Sequence, residues 1–120
     1  MADLPCLILL VEDDPDLRES VKEVLLEHGC QVECAEDGST AFAWLASGKR
    51  PALVLLDFLM PRMNGWEFLE QLRAEPTLRD IPVVAMSASR VKHPAIAATL
   101  PKPFDIPTLV NTVRKVAGRE

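Results

Sequence analysis

Five polar residues stand at or just beyond the ends of apolar stretches, where their side chains could act together. Glu12 and Asp13 close an apolar run that begins at residue 6, and Asp57 closes the run at 53–56. Ser87 and Lys102 follow two later apolar runs. Clustered carboxylates repel one another unless a cation lies among them, and hard oxygen ligands favour Mg²⁺ or a similar ion. With an amine, a hydroxyl and backbone amides nearby, such a site could hold a phosphoryl group.

Each of these residues also has a simpler explanation when it is taken alone. The acids at 12–14 could cap a following helix and interact with its dipole. Asp57 could cap a turn, Ser87 could be a loop hydroxyl, and Lys102 could be a solvated surface amine. The combination favours a shared site, because four separate apolar runs supply these residues and chance would rarely arrange that.

The sequence around these residues predicts strands that alternate with helices. Continuous apolar runs predict strands within 6–14, 51–57 and 82–89, and weaker patterns predict strands at 30–37 and 97–102. Helical patterns with caps or glycine stops cover 15–29, 37–48, 64–75 and 105–118. This alternation predicts a single doubly wound α/β domain with a five-stranded parallel sheet covered on both faces. In such a fold, ligands bind outside the carboxyl ends of the strands, where the five polar residues would meet.

Composition limits the classes of protein that this chain could represent. A length of 120 residues predicts one domain over 1–120, and 48% apolar with 26% charged residues is ordinary for a globular protein. The net charge of −5 argues against direct nucleic-acid binding. The apolar runs are too short for a membrane span, and the amino terminus lacks the features of a signal peptide. Three cysteines without metal-ligand spacing indicate reduced thiols and a cytoplasmic location.

Four segments together resemble the receiver domain of response regulators in two-component signalling. They are "LLVEDDPDLR", "LVLLDFLMPRMNG", "VVAMSA" and "LPKPF", and the resemblance extends over essentially the whole chain. The third apolar run with its terminal Asp57, followed by Met60-Pro61 and Gly65, is the most specific of these motifs. The resemblance implies a flavodoxin-like fold and a phosphoacceptor signalling domain rather than an enzyme.

The resemblance also implies a role for each site residue. Asp57 would accept the phosphoryl group, and Mg²⁺ would be held by Asp13 directly, by Glu12 through water, by Asp57 and by the backbone carbonyl of Leu59. Ser87 would be the switch hydroxyl that turns toward the phosphoryl group, and Lys102 would pair with a phosphoryl oxygen. The implied partners are a sensor histidine kinase or phosphotransfer protein and a downstream protein target, with no membrane partner.

The chain departs from this family in the segment between Ser87 and Lys102. Fourteen residues, 88–101, would have to contain two loops, a helix and a strand. Because a mean helix takes about 11–12 residues and a mean strand about 5–6, we expect the fourth helix to be shortened or missing. At most a helical turn around "PAIAA" would remain. Thr99 also stands where the family usually has an aromatic residue, so the usual output surface is in question.

Two alternative functions remain open on the sequence. A degenerate receiver could act as a protein-binding module that is never phosphorylated, and the short fourth segment favours that reading. A phosphatase or flavin-binding protein of similar architecture is the other alternative. A phosphatase would need a second acid two residues after Asp57, where Leu59 stands, and a flavin protein would need a phosphate-binding loop where the first acids stand.

Overall fold

The computed structural model of the chain describes residues 6–58, 65–88 and 93–118. These residues form five strands: β1 (Leu7–Val11), β2 (Gln31–Ala35), β3 (Leu53–Asp57), β4 (Val83–Ser87) and β5 (Ile96–Pro101). They also form four helices: α1 (Pro15–Glu27), α2 (Gly38–Ala46), α3 (Gly65–Ala74) and α4 (Ile106–Ala117). Within these ranges, none of the helices has the length and apolar character that crossing a bilayer requires.

The five strands form one sheet in the order β2-β1-β3-β4-β5, and every neighbouring pair is parallel. This is the flavodoxin-like order, so the predicted fold class is confirmed. From β1 the chain first adds β2 on one side of β1, and it later adds β3 on the opposite side of β1. The crevice at that reversal, beside the carboxyl ends of β1 and β3, is where such sheets bind ligands.

The sheet is buried because helices cover both of its faces. Strands β3 and β4 are buried at every position, which explains why they are continuously apolar instead of alternating. On one face, α1 and α4 contribute Val21, Leu25, Leu109 and Val113 to the core. On the other face, α2 and α3 contribute a second apolar layer that includes Ala41, Leu45, Phe68, Leu69 and Leu72. Packing on two faces holds the strands rigidly and therefore fixes the positions of their ends.

Aspartates cap the amino ends of three of the four described helices. Asp14 accepts hydrogen bonds from the amides of Asp16 and Leu17, and Asp37 and Asp105 cap α2 and α4 in the same way. Asp14 is thus a helix cap, which is the simpler of the two explanations for that acid. Gly29, just after α1, has a φ of 94°, a left-handed conformation that glycine adopts without strain.

The connection between β4 and β5 is short. β4 ends at Ser87 and β5 begins at Ile96, which leaves residues 88–95 between them. Of these, Ala88 and residues 93–95 belong to no helix, and 89–92 lie outside the described residues. The prediction of a shortened or missing fourth helix is confirmed. The predicted helical turn around "PAIAA" is wrong beyond Pro94 and Ala95, because Ile96 already pairs with Val83 in the sheet.

Candidate functional site

The site lies at the carboxyl ends of β1, β3 and β4. The register pairs Val11 with Leu56, so the next residues along the two strands, Glu12 and Asp57, are neighbours across the sheet. Both are nearly inaccessible to solvent, at 1% and 3% exposure, whereas Asp13 is partly exposed. The carboxylate oxygens of these three acids lie within 4.8 Å of one another. The sheet therefore forces together three acids that the sequence separates by up to 45 residues, the interval from 12 to 57.

Lys102 lies between the two buried acids. Its Nζ is 3.2 Å from Glu12 Oε1 and 3.2 Å from Asp57 Oδ1. The side chain of Lys102 is 25% exposed, so the amine bridges the buried acids and the solvent-facing opening of the site. One ammonium group thus faces three clustered acids, two of them buried, and can balance the charge of only one carboxylate.

Strand pairing places Lys102 at this position. Ser87 pairs with Pro101 in the parallel ladder between β4 and β5. The amide of Lys102 then donates to the carbonyl of Ser87 at 2.9 Å, which continues the pairing by one residue. Ser87 itself is 5% exposed and ends β4 at the same sheet edge, while the following Ala88 is exposed. The pairing of the edge strand β5 with β4 therefore places Lys102 at the site.

Glu12 is held by contacts on all sides of the residue. The amide of Asp14 donates to Glu12 Oε2 at 3.1 Å, while Lys102 donates to Oε1. The Arg18 guanidinium donates to the Glu12 backbone carbonyl at 2.8 Å. Burial, assisted by the charge of Asp57, raises the pKa of Glu12 from 4.5 to about 7, against the opposing effects of the Asp14 amide and Lys102. The effect of burial on the pKa of Glu12 is thus larger than the opposing effect of the Lys102 amine.

The same electrostatics act on the lysine in the opposite sense. Burial by itself disfavours the charged ammonium of Lys102. The carboxylates of Glu12 and Asp57 outweigh that cost, so the pKa of Lys102 is raised above its ordinary value of 10.5. Lys102 remains a cation at physiological pH, and it is positioned to contact an anion bound in front of Asp57.

The donor set fits a hard divalent cation. Three carboxylates close together, two of them buried, supply the oxygen ligands that Mg²⁺ favours. Both oxygens of Glu12 already accept hydrogen bonds, whereas Asp13 is the more accessible of the adjacent acids. This difference agrees with the expected division of roles between the two residues. The predicted fourth ligand, the carbonyl of Leu59, lies outside the described residues.

Sequence reasoning missed the residues that support the site. Arg18 was not predicted to contact it, although its place one turn into α1, six residues after Glu12, could have suggested the contact. Behind Asp57, the Phe58 ring packs edge-on against Trp66 with centroids 5.2 Å apart. A Cβ added at Gly65 would overlap that ring, so Gly65 is needed for close packing. No pattern in the sequence indicates this contact.

The family comparison agrees with this geometry. The family model described as "Response regulator receiver domain" matches residues 8–114. Response regulator MprA of Mycolicibacterium vanbaalenii is 37% identical over 123 residues, an alignment that covers 97% of this chain and 52% of MprA. This chain therefore spans about half the length of the curated relatives that it matches.

Solved structures give the same result. The signal receiver domain of a signal transduction histidine kinase from Syntrophus aciditrophicus superposes with a TM-score of 0.83 and 31% identity, covering 94% of this chain and 90% of that one. The receiver domain of the sensor histidine kinase PA1611 from Pseudomonas aeruginosa was solved with a magnesium ion coordinated in its active site cleft. It superposes with a TM-score of 0.84 and 26% identity, covering 95% of this chain and 98% of that one. The extent of the family match and the arrangement of the sheet edge agree, and this chain belongs to the response regulator receiver domain family of two-component signalling.

Proposed function

We propose that this chain, as one receiver domain over residues 1–120, accepts a phosphoryl group on Asp57 from a partner sensor histidine kinase or phosphotransfer protein. The observation that carries the proposal is the position of Lys102, 3.2 Å from both Asp57 and Glu12 at the opening of an acidic cluster. A purely structural ion pair would not need a third acid beside it, yet Asp13 completes the cluster. The proposed cofactor is Mg²⁺.

The reaction is a transfer between two covalent carriers. An Asp57 carboxylate oxygen attacks the phosphorus of a phosphohistidine on the partner, the new O–P bond forms, and the P–N bond breaks with its electron pair returning to the imidazole. Lys102 interacts with a phosphoryl oxygen and stabilises charge on it. Mg²⁺, held by Glu12, Asp13, Asp57 and the carbonyl of Leu59, would supply further positive charge there. Attack by water later breaks the O–P bond and restores the carboxylate.

The proposed output is a switched protein-binding surface. The phosphoryl group brings negative charge and three acceptor oxygens, to which the Ser87 hydroxyl can donate. Because the Ser87 carbonyl accepts from the Lys102 amide, a movement of Ser87 can reach the turn at residues 103–105, just before α4. Half-buried Thr99 has no ring that could swing between two positions, so we propose that this turn, α1 or the loop after Ser87 presents the signal to a cytoplasmic protein target.

Phosphorylation of the purified chain tests the proposal. Incubation with acetyl phosphate and Mg²⁺ should add one phosphoryl group, detected by intact-mass spectrometry. Asp57→Asn should abolish the addition because the amide oxygen is a poor nucleophile. Asp80→Asn, which changes an exposed aspartate far along the sequence, serves as the matched control and should label as wild type does. An Asp57→Asn variant that labels fully would refute the acceptor assignment, and a wild type that never labels would favour the unphosphorylated binding module.

A further inference from the structure

Two cysteines meet at the end of the sheet opposite the acidic cluster. Cys6 precedes β1 and Cys30 precedes β2, each by one residue, and the next residues, Leu7 and Gln31, are register partners. The Sγ atoms of Cys6 and Cys30 are 3.6 Å apart. Neighbouring strands lie about 4.7–4.9 Å apart, which is inside the range of about 4.4–6.8 Å between Cα atoms that disulfides require.

Hydrogen bonds hold the backbone on both sides of this pair. The amide of Gln31 donates to the Cys6 carbonyl at 2.8 Å, and the amide of Cys30 donates to the Leu25 carbonyl at 3.0 Å. The sulfur atoms therefore need to approach by only about 1.5 Å to reach a bonding distance of about 2.05 Å. Side-chain rotation can supply most of that movement, because χ1 of a cysteine is not restricted by branching.

The two thiols differ in access to solvent. Cys6 is half-buried, whereas Cys30 is 3% exposed. An oxidant in solution would therefore reach Cys6 first, and Cys30 would react next from within the core. Cys34 is half-buried too, but it pairs with Leu10, four residues further along β2, or about 13 Å from Cys30. Burial raises the pKa of the Cys34 thiol, which also lowers its reactivity.

We propose that Cys6 and Cys30 form a reversible disulfide in response to a peroxide. The Cys6 thiolate attacks the O–O bond of hydrogen peroxide, giving a sulfenic acid and one molecule of water. The Cys30 thiol then attacks the Cys6 sulfur, the S–S bond forms and a second molecule of water leaves. Two thiols and one peroxide thus give one disulfide and two waters, and a dithiol reverses the change.

This disulfide would join the edge strand β2 to β1 at their amino ends. It closes a loop with a sequence separation of 24 residues, which constrains the unfolded chain. The acceptor edge lies five strand residues away, about 17 Å along β1. The proposed disulfide therefore acts on the stability of the sheet, and it does not depend on the proposed phosphorylation.

Peptide mapping of the oxidised wild-type chain tests the proposal without any substitution. After hydrogen peroxide treatment and alkylation of remaining thiols, cleavage after glutamate separates the three cysteines into fragments 1–12, 28–33 and 34–36. The expected product is a cross-link between 1–12 and 28–33 that dithiothreitol reverses, with Cys34 alkylated. A cross-link to 34–36, a link between two chains, overoxidised Cys6 without a cross-link, or three alkylated thiols would each overturn the proposal.

Variants and melting provide a second measurement. Cys34→Ser should form the cross-link as wild type does, whereas Cys30→Ser should not form it. The oxidised wild type should melt about 5–15 °C above the reduced form, and dithiothreitol should remove that difference. A cross-linked protein with an unchanged or lower Tm would contradict the inference that the native backbone already accommodates the bond.

Discussion

The chain crosses between parallel strands in two very different ways on the two sides of the site. From β1 to β2 it uses α1, whose 13 residues bury Val21 and Leu25 in the core. From β4 to β5 it uses only residues 88–95, and the described part of that segment forms no helix. Both crossovers nevertheless deliver their residues to the same sheet edge: Glu12 and Asp13 before α1, and Ser87 before the short connection.

This difference shows that strand register, and not the length of the crossover, brings Lys102 to the site. Lys102 reaches Asp57 and Glu12 because β5 pairs with β4, and that pairing survives a short crossover. The helix of a crossover contributes buried apolar area and hence stability. The packing of α1 in the core and the position of Lys102 can therefore be perturbed separately.

The largest expected effect is on global stability. Leu25 is fully buried in α1, whereas Ile96 at the start of β5 is half-buried. Leu25→Ala should lower the free energy of unfolding by about 3 kcal/mol, and Ile96→Ala by about 1 kcal/mol. Urea denaturation followed by circular dichroism measures both. Equal losses would mean that the start of β5, just after the short connection, is packed as tightly as α1.

Hydrogen exchange tests the same comparison locally. Amides of residues 88–95 should exchange at least about 100-fold faster than those of Val21 and Leu25, because the described residues at the two ends of this segment are mostly exposed and little buried surface opposes local opening. Residues 96–100 should be protected in comparison, since β5 is paired with β4. Mass spectrometry of peptic fragments can resolve the two segments. Protection across 88–95 equal to that of α1 would show that a stable helix exists there.

The dependence of the free energy of unfolding on pH should come from Glu12, which lies between β1 and α1. Burial raises the pKa of Glu12 to about 7, so the folded, metal-free protein keeps a proton that the unfolded chain releases above about pH 4.5. This contribution to stability is complete below pH 4.5 and is lost as the pH rises through about 7, a change of about 3 kcal/mol. Glu12→Gln should remove it, whereas Glu19→Gln, on the exposed side of α1, should not. Urea titrations in EDTA across pH 4 to 8 provide the measurement, and superimposable curves for wild type and Glu12→Gln would contradict the assignment.

The affinity for Mg²⁺ should depend more on Asp13 than on the adjacent Glu12. Asp13→Ala should weaken Mg²⁺ binding by about tenfold, or about 1.4 kcal/mol, and Glu12→Ala by less, because both Glu12 oxygens are already hydrogen-bonded. Calorimetry measures the affinity, and the fluorescence of Trp66, which packs on Phe58 beside Asp57, can follow it in a Trp44→Phe background. Ser87→Ala, at the end of β4, is the control and should bind Mg²⁺ as wild type does. Equal losses of affinity in the two acid variants would contradict the expected difference between Asp13 and Glu12.

Much of this protein was predictable because its local patterns are strong. Continuous apolar runs that end in acids indicated buried parallel strands, and the flavodoxin-like sheet follows from their alternation with helices. The fourteen residues from 88 to 101 were too few for a helix and a strand, which is a matter of chain length alone. Glu12, Asp13 and Asp57 could be predicted to share a sheet edge, because parallel strands place their carboxyl ends together.

Other properties depend on distances and burial that only the tertiary structure determines. Lys102 bridges Glu12 and Asp57 across 90 residues of sequence because the strand register and the edge position of β5 bring its amine there. The raised pKa of Glu12 arises from near-complete burial, a property of the surrounding side chains and not of the glutamate. Cys6 and Cys30 lie side by side for a similar reason: the sequence places them 24 residues apart, and the pairing of β1 with β2 reduces the distance between their sulfur atoms to 3.6 Å.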